Sequence, residues 1–303
     1  MKKITIILTA IISLAFFSGF EACQSSKSST AGKMLKFNLE NGKGYDYEMT
    51  VNMDQEIMGQ QMKMDMTTYY SMDVSGGDAG DKTISASFER FKMKTAVGGM
   101  SIDVDTDQPS TTFELEKDKD PVEAVKKVFG AIKGRKFVMK VNAEGKITNV
   151  QGFENMSKSI ADSMGLNEEE KAEMMKEFDG QFNADEITKS LERFWYIFPN
   201  KEVKVGDSWD KVTEVGGKMP GKYKSTYKVT EIEGDMVTLE ENSKIESKEG
   251  EMISLTGDVT GTLVVDSRSG LVVTADQDMN MKASAQGMSF DIKGKSKIKG
   301  KAR

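Results

Sequence analysis

The 303-residue sequence has no histidine, one cysteine, four prolines and two tryptophans. Without histidine there is no Ser-His-Asp triad, no Cys-His pair and no histidine-ligated metal site. A single cysteine closes no intrachain disulfide, so no covalent staple holds the fold. A strong charge of one sign is also missing: 42 basic groups face 48 acidic ones, a net −6. This mild acidity, spread along the chain, argues against a nucleic-acid partner. After the first twenty residues no apolar run is long enough to span a bilayer. What the chain has in excess is methionine, 22 residues of it.

The start of the chain reads as an export signal. Lys2 and Lys3 precede an apolar run from Ile4 to Phe17, broken only by Thr5, Thr9 and Ser13. That pattern is a secretory signal peptide over 1–22. Cys23 follows Ala22, the small residue expected before a lipidated cysteine, whereas Phe20 and Glu21 depart from the usual small and aliphatic pattern. Two readings stand: acylation of Cys23 as a bacterial lipoprotein, or ordinary cleavage after Ala22 with a free thiol. Acylation anchors the chain to a membrane and places it in the cell envelope, facing the periplasm or exterior. The polar stretch Gln24 to Ser29 makes 23–34 a flexible tether.

Period-two alternation then dominates 35–120. Tyr45, Tyr47, Met49, Val51 and Met53 share one face of a strand; Met62, Met64, Met66, Thr68 and Tyr70 share one face of the next. A parity change after Phe88 predicts a bulge near Glu89 and Arg90. Within 121–200 the period becomes helical, opened by Pro121 and interrupted by a short hairpin around Glu144 and Gly145, with Asn167 and Asn183 as helix caps. Strands return over 201–303. The order predicts a mainly β fold with some α: one large, curved antiparallel sheet, open to description as an unclosed barrel, packed against the central helices as one composite domain. Two separate sheet lobes are the alternative.

Several short strings resemble a known family: Val141-Asn142-Ala143-Glu144-Gly145-Lys146-Ile147, Phe198-Pro199, Gly206-Asp207-Ser208-Trp209, and Gly261-Thr262-Leu263 with Asp266 and Ser269-Gly270-Leu271. The layout is similar to an uncharacterised domain family of secreted, often lipid-anchored proteins from Bacteroidota. That resemblance implies no activity and no catalytic residue. The architecture also looks distantly like unclosed-barrel carriers that ferry lipids or lipoproteins across the periplasm, an analogy that favours apolar cargo. The strings have a physical reading of their own, since Gly145 and Gly270 suit positive-φ hairpin turns and Trp209 suits a packing site.

The methionines allow three readings: plain core, a soft-metal site, or the lining of an adaptable apolar pocket. With no histidine or second thiol beside them, metal is the weakest and no cofactor is expected. The candidate lining is Met62, Met64, Met66, Tyr70, Met279, Met281 and Trp195. Asp103, Asp105 and Asp107 alternate like half a calcium loop but lack its glycine and terminal acid; Glu114 is a loose substitute. Lys293, Lys295, Lys297 and Lys299 form a basic stripe, readable as protection of a sheet edge or as contact with anionic headgroups. The expectation is a noncatalytic envelope lipoprotein that binds a lipid-like ligand. A structural or protein-interaction lipoprotein with a filled core is the alternative.

Overall fold

Alternating apolar and polar residues become long strands wherever one face is buried and the other is wet. The computed structural model describes residues 32–57, 60–76, 80–97, 100–108, 121–152, 156–164, 167–179, 184–215, 221–247, 253–285 and 288–303. In the first half run β1 (Lys33–Leu35), β2 (Gly44–Ile57), β3 (Gln60–Gly76), β4 (Lys82–Val97) and β5 (Met100–Asp105). Helix α1 (Pro121–Ile132) precedes the hairpin β6 (Lys136–Val141) and β7 (Ile147–Gln151). Helices α2 (Met156–Ser163), α3 (Glu168–Asp179) and α4 (Ala184–Trp195) follow. The rest is β8 (Lys201–Val203), β9 (Ser208–Val215), β10 (Gly221–Glu233), β11 (Met236–Ser247), β12 (Ile253–Asp266), β13 (Leu271–Ala285) and β14 (Met288–Ala302).

Twelve strands form one antiparallel sheet in the order β7-β6-β4-β3-β2-β14-β13-β12-β11-β10-β9, with β5 also on β4. Among the described residues the sheet is not closed: β7 and β9 are its two ends. Helix α4 packs against both of them, so it spans the gap. The expected fold class is the one observed, and the two-lobe alternative is not.

Local signals account for much of this. Residue Glu89 is the extra one in a bulge, since Tyr69 faces Arg90 while Tyr70 faces Phe88. The bulge divides β4, so that residues 82–87 pair with β6 and residues 92–97 pair with β5. Asn167 caps α3 reciprocally: its Oδ1 accepts from the Glu170 N–H, and Glu170 Oε2 accepts from the Asn167 N–H.

One expectation fails. The lysine-rich final strand is no sheet edge: β14 lies between β13 and β2 and joins the two halves of the chain. Its inner face of Ile292, Gly294, Ser296 and Ile298 is buried. Its lysines face acids of the neighbouring strands, which lets a charged stripe sit at the sheet's centre. Strand β1 begins at Lys33, inside the stretch read as a tether, and pairs with β8. The signal sequence, Cys23, Gly59, Gly98, Gly99, Pro109, Glu114, Asn183 and Gly287 lie outside the described residues.

Candidate functional site

The recognisable strings gather at one end of the sheet. In the β6–β7 turn, Asn142 Oδ1 accepts from the Glu144 and Lys146 N–H groups, and Gly145 takes φ 87°. In the β12–β13 turn, Asp266 accepts from the Arg268 N–H, the Ser269 hydroxyl and the Gly270 N–H, and Gly270 takes φ 69°. Both turns press on residues 35–38: Gly145 lies against Phe37 and the Trp195 carbonyl, and Gly270 against Lys36 and Phe37. The Gly206-Asp207-Ser208-Trp209 turn delivers Trp209, whose Nε1–H donates to the Ile197 carbonyl at 2.7 Å. These turns therefore cap the sheet's end, which explains them without any chemistry, whereas Gly261-Thr262-Leu263 lies within β12.

Next to the cap, α4 and its exit close the gap. Tyr196 lies beneath two ammonium groups, Lys146 from the β6–β7 turn at 4.8 Å and Lys211 from β9 at 3.9 Å. Burial raises the Glu192 carboxyl's pKa, opposed by the nearby Lys146 charge and the Ile147 N–H it accepts from. Burial lowers that of the Lys211 ammonium, opposed by Glu144. One helix end thus holds both sheet edges. Trp195 is buried, 6.0 Å from Phe37, and hydrogen-bonded to the Tyr47 hydroxyl.

The inner face of the sheet carries the methionines, and register brings the two groups together. One cross-strand row runs Ser225, Ser243, Val259, Met279, Gly294, Met53, Met64, Thr95 and Ile102. Gly294 is the gap that permits this, because a Cβ there would meet Met279 Cε at 2.5 Å and Met53 Cγ at 3.6 Å. Met62, Met64, Met66, Met279 and Met281 are all buried. Met281 lies in the adjoining row through Ile292 and Gln55 to Met62, where Gln55 Nε2 approaches Met62 Sδ at 3.7 Å. Tyr70 packs on Phe88 at 4.9 Å. Trp195, at the cap, belongs to a different neighbourhood from this belt.

A second row is largely polar across β10 to β14. Tyr227, Glu241, Gly261, Gln277 and Ser296 face one another across β10 to β14, and the row continues into Val51, Met66 and Met93. Glu241 is 2% exposed. Its Oε1 accepts from Ser243 Oγ at 2.6 Å and its Oε2 from Gln277 Nε2 at 2.5 Å. Gly261 lets Gln277 reach it, since a Cβ there would meet Gln277 Cγ at 2.6 Å. The guanidinium of Arg193 on α4 stacks 3.7 Å from the Tyr223 ring centre. Burial pushes the Tyr223 phenol up to about 12, the Arg193 charge opposing it. Arg193, Phe194, Tyr227, Glu241 and Gln277 border a void of about 20 Å³, with Leu263, Val272, Ala275 and Ile298 completing its wall. Ser296 Oγ, also buried, meets no partner among the described residues. Sequence reasoning missed this cluster, although Glu241 shares strand parity with Val237, Leu239 and Ile245.

The remaining candidates lie beside neighbouring charges. Arg90 clasps Asp105 with two hydrogen bonds of 2.9 and 2.5 Å and lies 3.3 Å from Asp107, which Lys133 also contacts; Asp103 pairs with Lys94 at 2.8 Å. Arg90 holds the Asp105 carboxyl below the usual carboxylate range. Among the described residues no three acidic or thiol side chains gather as a metal site. Along the lysine stripe, Lys295 meets Asp278 at 2.8 Å, Lys297 meets Asp276 at 4.0 Å and Lys299 meets Glu48 at 3.3 Å. Lys293 stands opposite Asn280 and Asp54 in the ladder. The outer surface here is a ladder of both signs, not a bare cationic stripe.

Fold and site together define a class: an antiparallel, unclosed barrel whose gap is spanned by a helix and whose mainly aliphatic and aromatic interior holds a belt of methionines and a smaller group of buried polar side chains. A family model described as a family of unknown function (DUF6263) matches residues 79–272, more than half of the chain, and the chain belongs to that family. No curated protein matches it. Among solved structures, the translocator domain of the autotransporter NalP from Neisseria meningitidis aligns at 7% identity, over 88% of this chain and 90% of that one, with a TM-score of 0.26. A DUF1329 family protein from Desulfovibrio piger aligns at 11% identity over 85% of each chain, with a TM-score of 0.16. OccK5 (OpdH) from Pseudomonas aeruginosa aligns at 9% identity over 82% of this chain and 63% of that one, with a TM-score of 0.14. Likenesses this slight carry no argument about fold or function. No helix among the described residues is long and apolar enough to cross a membrane.

Proposed function

We propose that this protein is a noncatalytic cell-envelope lipoprotein, tethered through Cys23, whose barrel receives a lipid-like, apolar ligand against its methionine belt. One observation carries the reading: Met279, Met53 and Met64 lie in one cross-strand row on the inner face, Met279 reaching Met53 across Gly294, with Met62, Met66 and Met281 in the flanking rows. Methionine is unbranched and polarizable, so a wall built from it repacks around different apolar shapes at low cost. The void of about 20 Å³ is far below the several hundred Å³ of a ligand pocket. A ligand therefore enters by displacing side chains rather than by filling a preformed space. The Cys23 tether would hold the chain at a membrane, where such ligands are found.

The same small void favours a second reading, a structural or protein-interaction lipoprotein with a filled core. Native mass spectrometry of protein purified gently from its own membranes separates the two. Co-purifying lipid, bound one per chain and lost on organic extraction, is expected for the binding reading. A ligand-free mass, together with no uptake of added lipid, would leave the filled-core reading in its place.

A further inference from the structure

We infer that the void between α4 and strands β10 to β14 is a hydroxyl-recognition site, taking the terminal hydroxyl of an apolar alcohol. This rests on the proposal that the barrel admits an apolar ligand, and it adds which polar end that ligand carries. Size sets the first limit: about 20 Å³ accommodates one group the size of a water molecule, which needs roughly 10–15 Å³. Charge sets the second. Arg193 and Glu241 border the same void, so for a carboxylate or an ammonium head the attraction of one is offset by the repulsion of the other, and the cost of stripping the ion's hydration is left uncompensated. A hydroxyl meets both without repulsion, donating to a Glu241 oxygen and accepting from the guanidinium. Glu241 has capacity for it, because a carboxylate offers about four acceptor positions and the structure assigns one donor to each oxygen, Ser243 and Gln277.

The surroundings lead the chain of such a molecule to the methionines. Ser243, which bonds Glu241, opens the row that passes Val259 to Met279. Ser296 Oγ, in the row of Gln277 and buried without a partner among the described residues, adds a further hydrogen-bonding group on the way. A buried hydroxyl left unpaired is costly, so this interior favours a guest with hydrogen-bonding capacity over a plain hydrocarbon.

The test uses the full chain and three twelve-carbon probes at pH 7: 1-dodecanol, dodecanoate and dodecylammonium, titrated by tryptophan fluorescence and calorimetry. The alcohol is expected to bind about tenfold or more tighter than either ion, reflecting the cost of stripping an ion of water where the two wall charges offset each other. Glu241→Gln should raise dodecanoate affinity and lower that of dodecylammonium. Arg193→Gln, at a position on the helix rather than the sheet, should shift the two ions in the opposite directions. A folding defect weakens all three probes together and cannot produce these opposed shifts. Equal binding of the three probes to the wild type overturns the hydroxyl site but leaves the apolar-ligand reading standing. Binding of none overturns both.

Discussion

The closure of the barrel's gap by the end of α4 can be tested at a single glycine. Gly145 has φ 87°, and a Cβ there would overlap the Trp195 carbonyl and approach Phe37 Cβ at 3.3 Å. Gly42 has a similar φ of 77° but, among the described residues, nothing within 4 Å of its would-be Cβ. Alanine at Gly42 therefore pays for the left-handed backbone alone, about 1–2 kcal/mol. Alanine at Gly145 pays that and must also push the β6–β7 turn off the helix end, an overpacking cost of about 1–3 kcal/mol more. Urea unfolding followed by circular dichroism reads the difference. With an m-value near 3 kcal/mol/M, Gly145→Ala should have a midpoint roughly 0.3–1 M below that of Gly42→Ala. Equal midpoints would mean that the turn does not bear on α4, and the account of how the gap is held would fall.

Three other outcomes are expected, the first from the leader sequence and the others from the geometry. Cys23→Ser should move the protein from the membrane fraction to the soluble one; unchanged fractionation, with no acyl mass on the wild type, would contradict the anchor. Trp209→Phe removes the indole donor to the Ile197 carbonyl and should cost about 1–2 kcal/mol in denaturant unfolding; an unchanged midpoint would deny that bond a role. For Glu192, burial raises the folded-state pKa, so its contribution is fully present below the ordinary value of 4.5 and is lost as pH rises through the folded value. Wild type should thus lose stability relative to Glu192→Gln as pH climbs past 4.5, and a stability difference independent of pH would refute the assignment.

Local rules written in the chain were readable, and long-range ones were not. Alternation placed Met62, Met64 and Met66 on one face because strand parity is a property of consecutive residues. The parity change at Glu89 marked the bulge and Asn167 was legible as a helix cap, for the same reason, whereas its reciprocal bond with Glu170 emerged only in the structure. The position of β14 was misread because a lysine stripe looks alike at an edge and in the middle of a sheet. The informative signal lay elsewhere, in the outward acids Asp46 and Glu48 on β2 and Asp276 and Asp278 on β13, whose pairing depends on register between distant segments. The two methionine groups could be identified from sequence, but not the glycine that joins them: Gly294 opens the space for Met279 only once β14 is known to separate β13 from β2. Glu241 was visible as an acid on an apolar face and was passed over among 48 acidic residues; its partners Gln277 and Arg193 come from a strand and a helix that periodicity does not bring together.

Methionine methyl spectra test the central claim most directly. In protein labelled at the methionine methyl carbon, adding 1-dodecanol should shift or broaden the signals of Met53, Met64, Met66, Met279 and Met281, which are buried on the inner face. The exposed Met34 and Met236 should stay in place. Shifts confined to exposed methionines, or none at all under saturating probe, would show that the belt is only a packed core and that the barrel takes no apolar guest.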